Sequence, residues 1–237
     1  MPATFHPVPA ECLDSTRTAR PASTEDEGVV TVALLGDSST QGILLPPTMT
    51  YAARLERLLN GAAPPRPYRV VNCSFSGAGT FHLPEQLGHA FAYEPAVVVV
   101  YMGDNDEWIH GSYEPTLLRP RYTARLGDVV ERCRARGVRP ILLTPPSGRP
   151  WGFEWAQDMQ ILTSEVGYTK GAEVIDVEGW IRDQVVPAYY FVADLAHPNS
   201  PGHALIATML AERILRGAPV EPSADGTEVS AASSPPG

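Results

Sequence analysis

The run Val29-Val30-Thr31-Val32-Ala33-Leu34-Leu35-Gly36 is apolar almost throughout and is followed at once by Asp37 and Ser38. An apolar run without polar alternation is typical of a strand that is buried on both faces of a parallel sheet. Four similar runs follow along the chain, at residues 68–72, 96–102, 138–144 and 172–177. The sequence therefore predicts five parallel β-strands.

Longer amphipathic segments separate these strands and follow the last one. Apolar residues recur at helical spacing in residues 51–59, 83–91, 122–136, 157–166 and 201–215. Strand-helix-strand units of this kind form right-handed crossovers, which place helices on both faces of a parallel sheet. The predicted fold class is therefore α/β, a three-layer α/β/α sandwich around a central five-stranded parallel sheet.

The acidic charge of the chain is concentrated at its two ends. The formal net charge is −9 in 237 residues, which argues against a nucleic-acid-coating protein or a polybasic membrane binder, because both need an excess of Lys and Arg. Two thirds of that charge falls in residues 1–28 and 217–237, which are also rich in proline. We expect a flexible N-terminal tail and a disordered C-terminal tail, on either side of one folded domain at residues 29–216.

Cysteine content and the N-terminal sequence bear on the cellular compartment. Cys12, Cys73 and Cys133 are too few, and odd in number, for a disulfide framework. The N-terminus lacks a basic segment followed by an apolar one, and no stretch of 18 apolar residues occurs, so neither a signal peptide nor a membrane span is predicted. We expect a cytoplasmic protein without a disulfide framework, in which Cys73 and Cys133 are small buried apolar residues.

Ser38 stands where the first strand ends, among the small and polar residues of the segment 36–42. A serine between a buried strand and a helix presents its hydroxyl and its own N–H to the same space. By itself the segment is more typical of an ordinary strand-to-helix turn. A nucleophilic role requires a base that activates the hydroxyl.

A base for Ser38 is found near the other end of the folded domain. His197 follows Asp194 by three residues, in Asp194-Leu195-Ala196-His197-Pro198-Asn199, just before the last helix. This spacing lets the carboxylate accept from one imidazole nitrogen, which fixes the tautomer while the other nitrogen faces outward. The other five histidines lack such a partner and are interpreted as ordinary surface or core residues. His82 and His89 share a helix, but no third ligand completes a metal set.

Two other strands end in residues that suit a developing oxyanion. Asn105, within Gly103–Asp106 after the third strand, carries an amide that can donate to the oxyanion. Gly77, in the glycine-rich segment after the second strand, frees backbone N–H groups. A third glycine after Gly77 and Gly79, which dinucleotide binding would need, is missing, and no Gly-Lys-Ser/Thr of a phosphate-binding loop follows Gly36.

The acidic residues beside these positions have simpler interpretations. Asp104 and Asp106 flank Asn105 in the manner of a divalent-metal site, but acids at alternate loop positions more often cap a turn. Asp37, directly before Ser38, is interpreted as a hydrogen-bonding brace of its loop instead of a second catalytic acid. No metal is predicted.

Taken together, these blocks resemble those of the SGNH hydrolases, the GDSL esterase and lipase superfamily. The matching segments are Gly36-Asp37-Ser38-Ser39, Asn72 with Ser76-Gly77, Gly103-Asp104-Asn105-Asp106 and Asp194-Leu195-Ala196-His197. The resemblance covers residues 29–216 and departs from the family's name at Ser39, where that name gives leucine. It implies an SGNH-hydrolase domain of flavodoxin-like fold.

The resemblance also implies a role for each site residue. Ser38 would be the nucleophile, His197 its base and Asp194 the residue that orients His197. The N–H groups of Ser38 and Gly77 and the side-chain amide of Asn105 would form the oxyanion hole. The implied activity is hydrolysis of a small or medium acyl ester, or of an acetyl ester, on a small-molecule substrate and without a metal or organic cofactor.

Two other functions stay open on the same residues. Transfer of the acyl group to an alcohol or amine in a biosynthetic pathway needs only that water be excluded from the acyl-enzyme, and a ligand-binding protein needs only the fold. Aromatic residues of the long connections 103–120 and 145–156 bear on this choice. They either line a substrate pocket or pack the loops onto the sheet: Trp108, Trp151, Phe153 and Trp155.

Overall fold

Five strands form the centre of the computed structural model, which describes Cys12 and residues 28–110, 114–146 and 154–217, with the backbone alone at residues 108–110 and 154. The strands are β1 (Val30–Gly36), β2 (Tyr68–Asn72), β3 (Val97–Tyr101), β4 (Arg139–Leu143) and β5 (Glu173–Ile175). They form one sheet in the order β2-β1-β3-β4-β5, and every neighbouring pair is parallel. The five predicted strands are confirmed, and the order is the flavodoxin-like one.

The α-helices of the described residues are α1 (Ser38–Gln41), α2 (Tyr51–Gly61), α3 (Leu83–Phe91), α4 (Asp104–His110), α5 (Pro115–Arg134), α6 (Glu154–Lys170), α7 (Val177–Arg182) and α8 (Ser200–Arg216). Short 3₁₀ helices cover Pro47–Met49, Thr80–His82 and Pro187–Tyr190. Each of the five predicted helices is present. None of the described helices combines the length and the apolar character that crossing a bilayer requires.

The largest difference from the sequence prediction lies in residues 103–120, predicted as a long connection. Helix α4 and the first turns of α5 occupy most of this segment. Pro120 favours a helix boundary in the sequence, but α5 begins at Pro115 and continues through Pro120. Pro120 is the sixth residue of the helix, so it removes the hydrogen bond that an N–H there would donate to the Thr116 carbonyl. Leu118 and Tyr122, both 1% exposed, fix the turns on either side of it, so burial outweighs this loss.

Helices cover both faces of the sheet. Alternate residues of a strand point to opposite faces, so Ala33 and Leu35 of β1 join the core under α3, α5 and α6, whereas Val32 and Leu34 join the core under α2 and α8. All four side chains are fully buried. Burial on both faces is the reason that the strand runs are continuously apolar.

The strand order creates a switch point at the carboxyl end of β1. From β1 the chain proceeds to β2 on one side, and then crosses to β3 on the other side. Open α/β sheets bind their ligands in the crevice that such a divergence produces. Ser38 follows β1 and Asn105 follows β3, so both lie at this crevice.

At the opposite, amino edge of the sheet the start of β1 and the end of α8 come together. A cavity of about 640 Å³ lies there, lined among others by Val30, Ile214 and Gly217. Arg139, at the start of β4, donates to the Arg213 carbonyl at 3.0 Å and so holds the end of α8 against the sheet. This cavity is separated from Ser38 by the length of the strands.

A disulfide joins Cys12 to Cys73, 61 residues apart in the sequence. Cys12 is 1% exposed, and its N–H donates to the Tyr93 hydroxyl at 3.3 Å. The structure therefore contains one disulfide where the sequence predicts no disulfide framework, and the interpretation of Cys73 as an unpaired apolar residue is wrong. An odd count forbids complete pairing but permits one bond, with Cys133 left free and buried. Because disulfides persist mainly in oxidising compartments, this bond counts against the prediction of a cytoplasmic protein.

Candidate active site

After β1 the chain turns sharply into α1, which begins with Ser38. Gly36 makes this turn possible, because a Cβ there would collide with the Thr40 side chain and the Tyr101 carbonyl. Asp37 caps α1, since its Oδ1 accepts the Ser39 N–H at 2.9 Å. As the first residue of the helix, Ser38 has an N–H that no carbonyl of α1 accepts.

Asp37 is the brace that the sequence predicted, in an unusual electrostatic setting. Its side chain is fully buried. Burial, with the like charge of Asp104 as a second cause, raises the pKa of Asp37 well above its ordinary value. The carboxyl beside Ser38 therefore favours its protonated form far more than an exposed aspartate does.

Ser38, His197 and Asp194 form a single hydrogen-bonded chain. The Ser38 Oγ lies 2.8 Å from Nε2 of His197, a contact between residues 159 positions apart. The His197 Nδ1 lies 2.6 Å from Oδ2 of Asp194. In this arrangement Nε2 can take the serine proton while the Nδ1–H stays bound to the carboxylate.

The turn that carries Asp194 and His197 is held mainly by its own hydrogen bonds. The Asp194 Oδ1 accepts the N–H groups of Ala196 at 2.9 Å and of His197 at 3.0 Å. Burial alone would raise the pKa of Asp194, but these N–H groups and the imidazole outweigh it and hold the pKa below its ordinary value. Leu195 adopts a φ of +57°, which residues with a side chain rarely do, so the turn is strained.

The loop at residues 76–80, after β2, has four of its five N–H groups already bound. Those of residues 76, 78, 79 and 80 donate to Gln41 Oε1 (2.8 Å), the Phe75 carbonyl (3.3 Å), His82 Nδ1 (3.1 Å) and Asp106 Oδ2 (2.9 Å). For the N–H of Gly77 no acceptor exists among the described residues. Gly77 has a φ of +79°, which glycine adopts without penalty. Its N–H is thus left for a ligand.

Asn105, in the first turn of α4, reaches the same loop. Its Nδ2 donates one hydrogen to the Ala78 carbonyl at 2.9 Å, and the second amide hydrogen stays available to another acceptor. Gly103 just before it has a φ of +145°, and a Cβ there would collide with Met159 and Tyr122. The chain can therefore approach α5 and α6 closely enough to place Asn105 only with a glycine at this position.

Asp106 ties α4 to the loop at a second point. Its carboxylate is 2% exposed, accepts both the N–H and the hydroxyl of Thr80, and pairs with Arg125 at 3.4 Å. Asp106 thus binds the first N–H of the short helix Thr80–His82, which lies 26 residues earlier in the chain and is not the following turn that the sequence interpretation had it cap. Within the described ranges, no three His, Cys, Asp or Glu side chains are grouped as a metal ion would require.

Of the four aromatic residues considered for a substrate pocket, Trp155 alone has a described side chain. It is 3% exposed, donates from Nε1 to the Gly103 carbonyl at 2.9 Å, and packs edge-on against Tyr122. These contacts fit the packing alternative and fix the backbone two residues before Asn105. Trp151, Phe153 and the side chain of Trp108 lie outside the described residues.

Three residues that support the site are not indicated by any sequence pattern. Gln41 contacts Ser76 at a separation of 35 positions, and Arg125 contacts Thr80 at a separation of 45. Thr80 itself contacts Asp106, 26 positions away. No local motif indicates contacts between residues so far apart in the sequence. The acidic side chain of Asp106 is the one signal, because a buried carboxylate requires a hydrogen-bond donor.

Comparison with known proteins places the chain in a sequence family and a fold. The sequence model of the GDSL-like Lipase/Acylhydrolase family matches residues 34–205, well over half of the chain. The solved structure of a lipase/acylhydrolase from Enterococcus faecalis has a TM-score of 0.67 at 20% identity, over 78% of this chain and 95% of that one. An acetylxylan esterase from Geobacillus stearothermophilus has a TM-score of 0.63 at 22% identity, over 79% and 93% respectively. At these identities the likenesses show the fold. No curated protein sequence matches the chain.

Proposed function

The chain belongs to the GDSL-like lipase/acylhydrolase family, and from that premise we propose that it cleaves small or medium acyl esters, acetyl esters among them, through an acyl-enzyme on Ser38. Family membership makes it a carboxylic ester hydrolase. The proposal adds the covalent mechanism, the role of each residue and the size of the acyl group.

The observation that carries the proposal is the hydrogen-bonded chain from Ser38 to Asp194. A serine hydroxyl is a weak nucleophile until an adjacent base takes its proton. The 2.8 Å contact to Nε2 of His197 supplies that base, and the 2.6 Å contact between Nδ1 and Asp194 fixes its tautomer.

In the acylation step the Ser38 Oγ attacks the ester carbonyl carbon and His197 Nε2 accepts the hydroxyl proton. The carbonyl oxygen becomes an oxyanion, which the N–H groups of Ser38 and Gly77 and the free amide hydrogen of Asn105 stabilise. When the bond to the leaving oxygen breaks, His197 gives its proton to that oxygen. The alcohol departs, and the acyl group stays on Ser38 as an ester.

In the deacylation step a water molecule repeats the same sequence. His197 takes a proton from the water as the water oxygen attacks the acyl carbon, and the same three donors hold the second oxyanion. Collapse of this intermediate breaks the bond to Ser38 Oγ, which recovers its proton from His197. The products are a carboxylic acid and the free enzyme, and no cofactor takes part.

Exposed apolar side chains follow the helix that carries the nucleophile. Ile43 and Leu44 are 48% and 53% exposed, and the Ile43 N–H lies 3.5 Å from the Ser38 carbonyl oxygen. The length of the acyl group is the part of the proposal that the substrate panel measures. Because one structural relative is an acetylxylan esterase, acetylated sugars belong in the test panel.

The test is hydrolysis by the purified chain of p-nitrophenyl esters of increasing acyl length, together with acetylated xylo-oligosaccharides. We expect turnover of the short esters, and we expect Ser38→Ala to lower kcat by about 10³-fold or more, because the nucleophile is lost. Treatment with a p-nitrophenyl phosphonate should add one phosphonyl group, which peptide mass spectrometry locates on Ser38.

Ser164→Ala is the matched control for the nucleophile. The Ser164 hydroxyl donates to the Gln160 carbonyl on the surface of α6, so its removal should leave kcat unchanged. Hydrolysis by Ser38→Ala at the rate of the parent, or a phosphonyl group on another residue, would show that the nucleophile is wrongly assigned.

A further inference from the structure

Gln41 ends α1, three residues after Ser38, and joins the nucleophile to the loop at residues 76–80. Its Oε1 accepts the Ser76 N–H at 2.8 Å, and its own N–H donates to the Asp37 carbonyl at 2.8 Å. The backbone of Gln41 is thus fixed by the same turn that places Ser38. Its side chain spans from that turn to the residue before Gly77.

Hydrogen bonds fix the exposed part of the loop around Gly77, since Ser76 and Gly77 are exposed whereas Ala78 is fully buried in the core. A Cβ built on Gly77 would meet nothing within 4 Å, so this residue itself is not held by side-chain packing. On one side the loop is bound through Ser76 to Gln41, and on the other through Ala78 to Asn105. The side-chain amides of two residues therefore hold the loop, one on each side of the glycine.

These two hydrogen bonds come from different parts of the site. Asn105 itself carries a proposed oxyanion donor, so its bond to Ala78 sets the distance between two of the three donors. Gln41 lies on the helix of the nucleophile, so its bond to Ser76 sets the position of the Gly77 N–H relative to Ser38. Without the Gln41 bond, the next side-chain link to α1 on the N-terminal side of the glycine is five residues away, at Asn72, whose Nδ2 donates to the Thr40 carbonyl at 3.0 Å.

We propose that Gln41 is a positioning residue for the reaction, which aligns the Gly77 N–H with the oxyanion that forms on Ser38. This inference rests on the proposed function and deepens it. Gln41 touches neither substrate nor reacting atoms and acts through Gly77. A displacement of about 1 Å at a reacting group can cost about 100-fold in rate, and an oxyanion donor is worth about 10²–10³-fold.

The test is Gln41→Met, which keeps the length of the side chain but replaces the amide by a thioether, a weak acceptor. With p-nitrophenyl acetate we expect kcat to fall about 10- to 100-fold while KM stays within about twofold, because the lost alignment affects the transition state only. Gln41→Ala should behave in the same way.

A second readout separates alignment from general damage. Phenylboronic acid adds to a serine hydroxyl as a tetrahedral anion and so depends on the same donors as the transition state. Its inhibition constant should rise in Gln41→Met by about the factor by which kcat falls. Circular dichroism and thermal unfolding of each variant verify that it is folded.

Asn60→Ala is the matched control, because it removes the same kind of bond at the other edge of the sheet. The Asn60 Oδ1 accepts the Tyr68 N–H at 2.9 Å at the start of β2. We expect its kcat to stay within about twofold of the parent.

The outcomes distinguish the two proposals. An active parent supports the proposed function whatever Gln41→Met does. The role of Gln41 is refuted if Gln41→Met keeps the kcat of the parent or loses no more kcat than Asn60→Ala does. It is also refuted if kcat falls without a rise in the boronate inhibition constant. If the parent neither hydrolyses esters nor reacts with the phosphonate, the proposed function fails and the role of Gln41 fails with it.

Discussion

The two halves of the candidate active site are built in opposite ways. The nucleophile half comprises the turn at residues 36–42, the loop at residues 76–80 and the start of α4. Its central polar side chains are buried, with Ser38 at 8% and Asp106 at 2% exposure, and hydrogen bonds join its three segments to one another. The base half is the turn that carries Asp194 and His197, whose side chains are 44% and 27% exposed.

This difference corresponds to what each half has to do. Oxyanion donors stabilise a charge only if they already point at it, so the nucleophile half must be rigid before the substrate arrives. In the proposed mechanism the base exchanges protons in turn with Ser38, a departing alcohol and an entering water, and it therefore needs access to the solvent. Burial, together with the hydrogen bonds between its segments, provides the first property, and an exposed turn with its own local hydrogen bonds provides the second.

The sharpest test of the comparison is His197→Ala. We expect kcat to fall by about 10⁴-fold, because Ser38 loses its base. The free energy of unfolding should change by no more than about 1 kcal/mol, since the side chain lies in an exposed turn. Both quantities are measured on one sample, by ester hydrolysis and by urea unfolding.

His89→Ala is the matched control, a histidine on α3 outside the site. If His197→Ala unfolds several kcal/mol more easily than the parent, the base half contributes to stability as the nucleophile half does, and the contrast between the halves is lost.

Removal of the disulfide affects stability on the nucleophile side. Cys73 lies between β2 and the loop at residues 76–80, and its bond to Cys12 closes a loop of 61 residues. Cys12→Ser should lower the free energy of unfolding by about 4 kcal/mol, because the unfolded chain regains the entropy of that loop.

Urea unfolding with and without a reductant provides the control. The reductant should destabilise the parent and leave Cys12→Ser unchanged. Titration of three free thiols in the unreduced, denatured parent would contradict the pairing of Cys12 with Cys73.

Of the three substitutions, Asn105→Ala should have the smallest effect, and that effect should fall on kcat and not on KM. We expect kcat to fall about 10²–10³-fold with little change in KM, because the amide acts on charge that develops during the reaction. Steady-state kinetics with p-nitrophenyl acetate give both constants, and an unchanged kcat would remove Asn105 from the oxyanion hole.

Both halves of the site contain residues that can be predicted from the sequence, but for different reasons. The β1 run is recognisable because burial on both faces makes it continuously apolar, and Ser38 and Asn105 are recognisable because each follows such a run. The pair Asp194 and His197 is recognisable because its bond is local, three residues apart. These positions depend on patterns that a short window of sequence contains.

What the sequence does not predict are contacts between distant residues that belong to none of the recognised motifs. The pairs Cys12 with Cys73 and Gln41 with Ser76 become neighbours only after the sheet has assembled. Helix α4 and the early start of α5 are missed for a related reason, since Pro120 opposes a helix locally and the burial of Leu118 and Tyr122 favours one. Tertiary packing outweighs the local preference in that segment.

The meeting of β1 and α8 at the amino edge of the sheet determines how the domain can be attached to something else. A fusion partner, a linker or a solid support joined after Gly217 lies beyond the far ends of the strands from Ser38. Replacement of the residues before Gly28 would remove Cys12 and its disulfide, so the C-terminal end of α8 is the better point of attachment. A support joined there lies at the amino edge of the sheet, away from the carboxyl edge that carries Ser38.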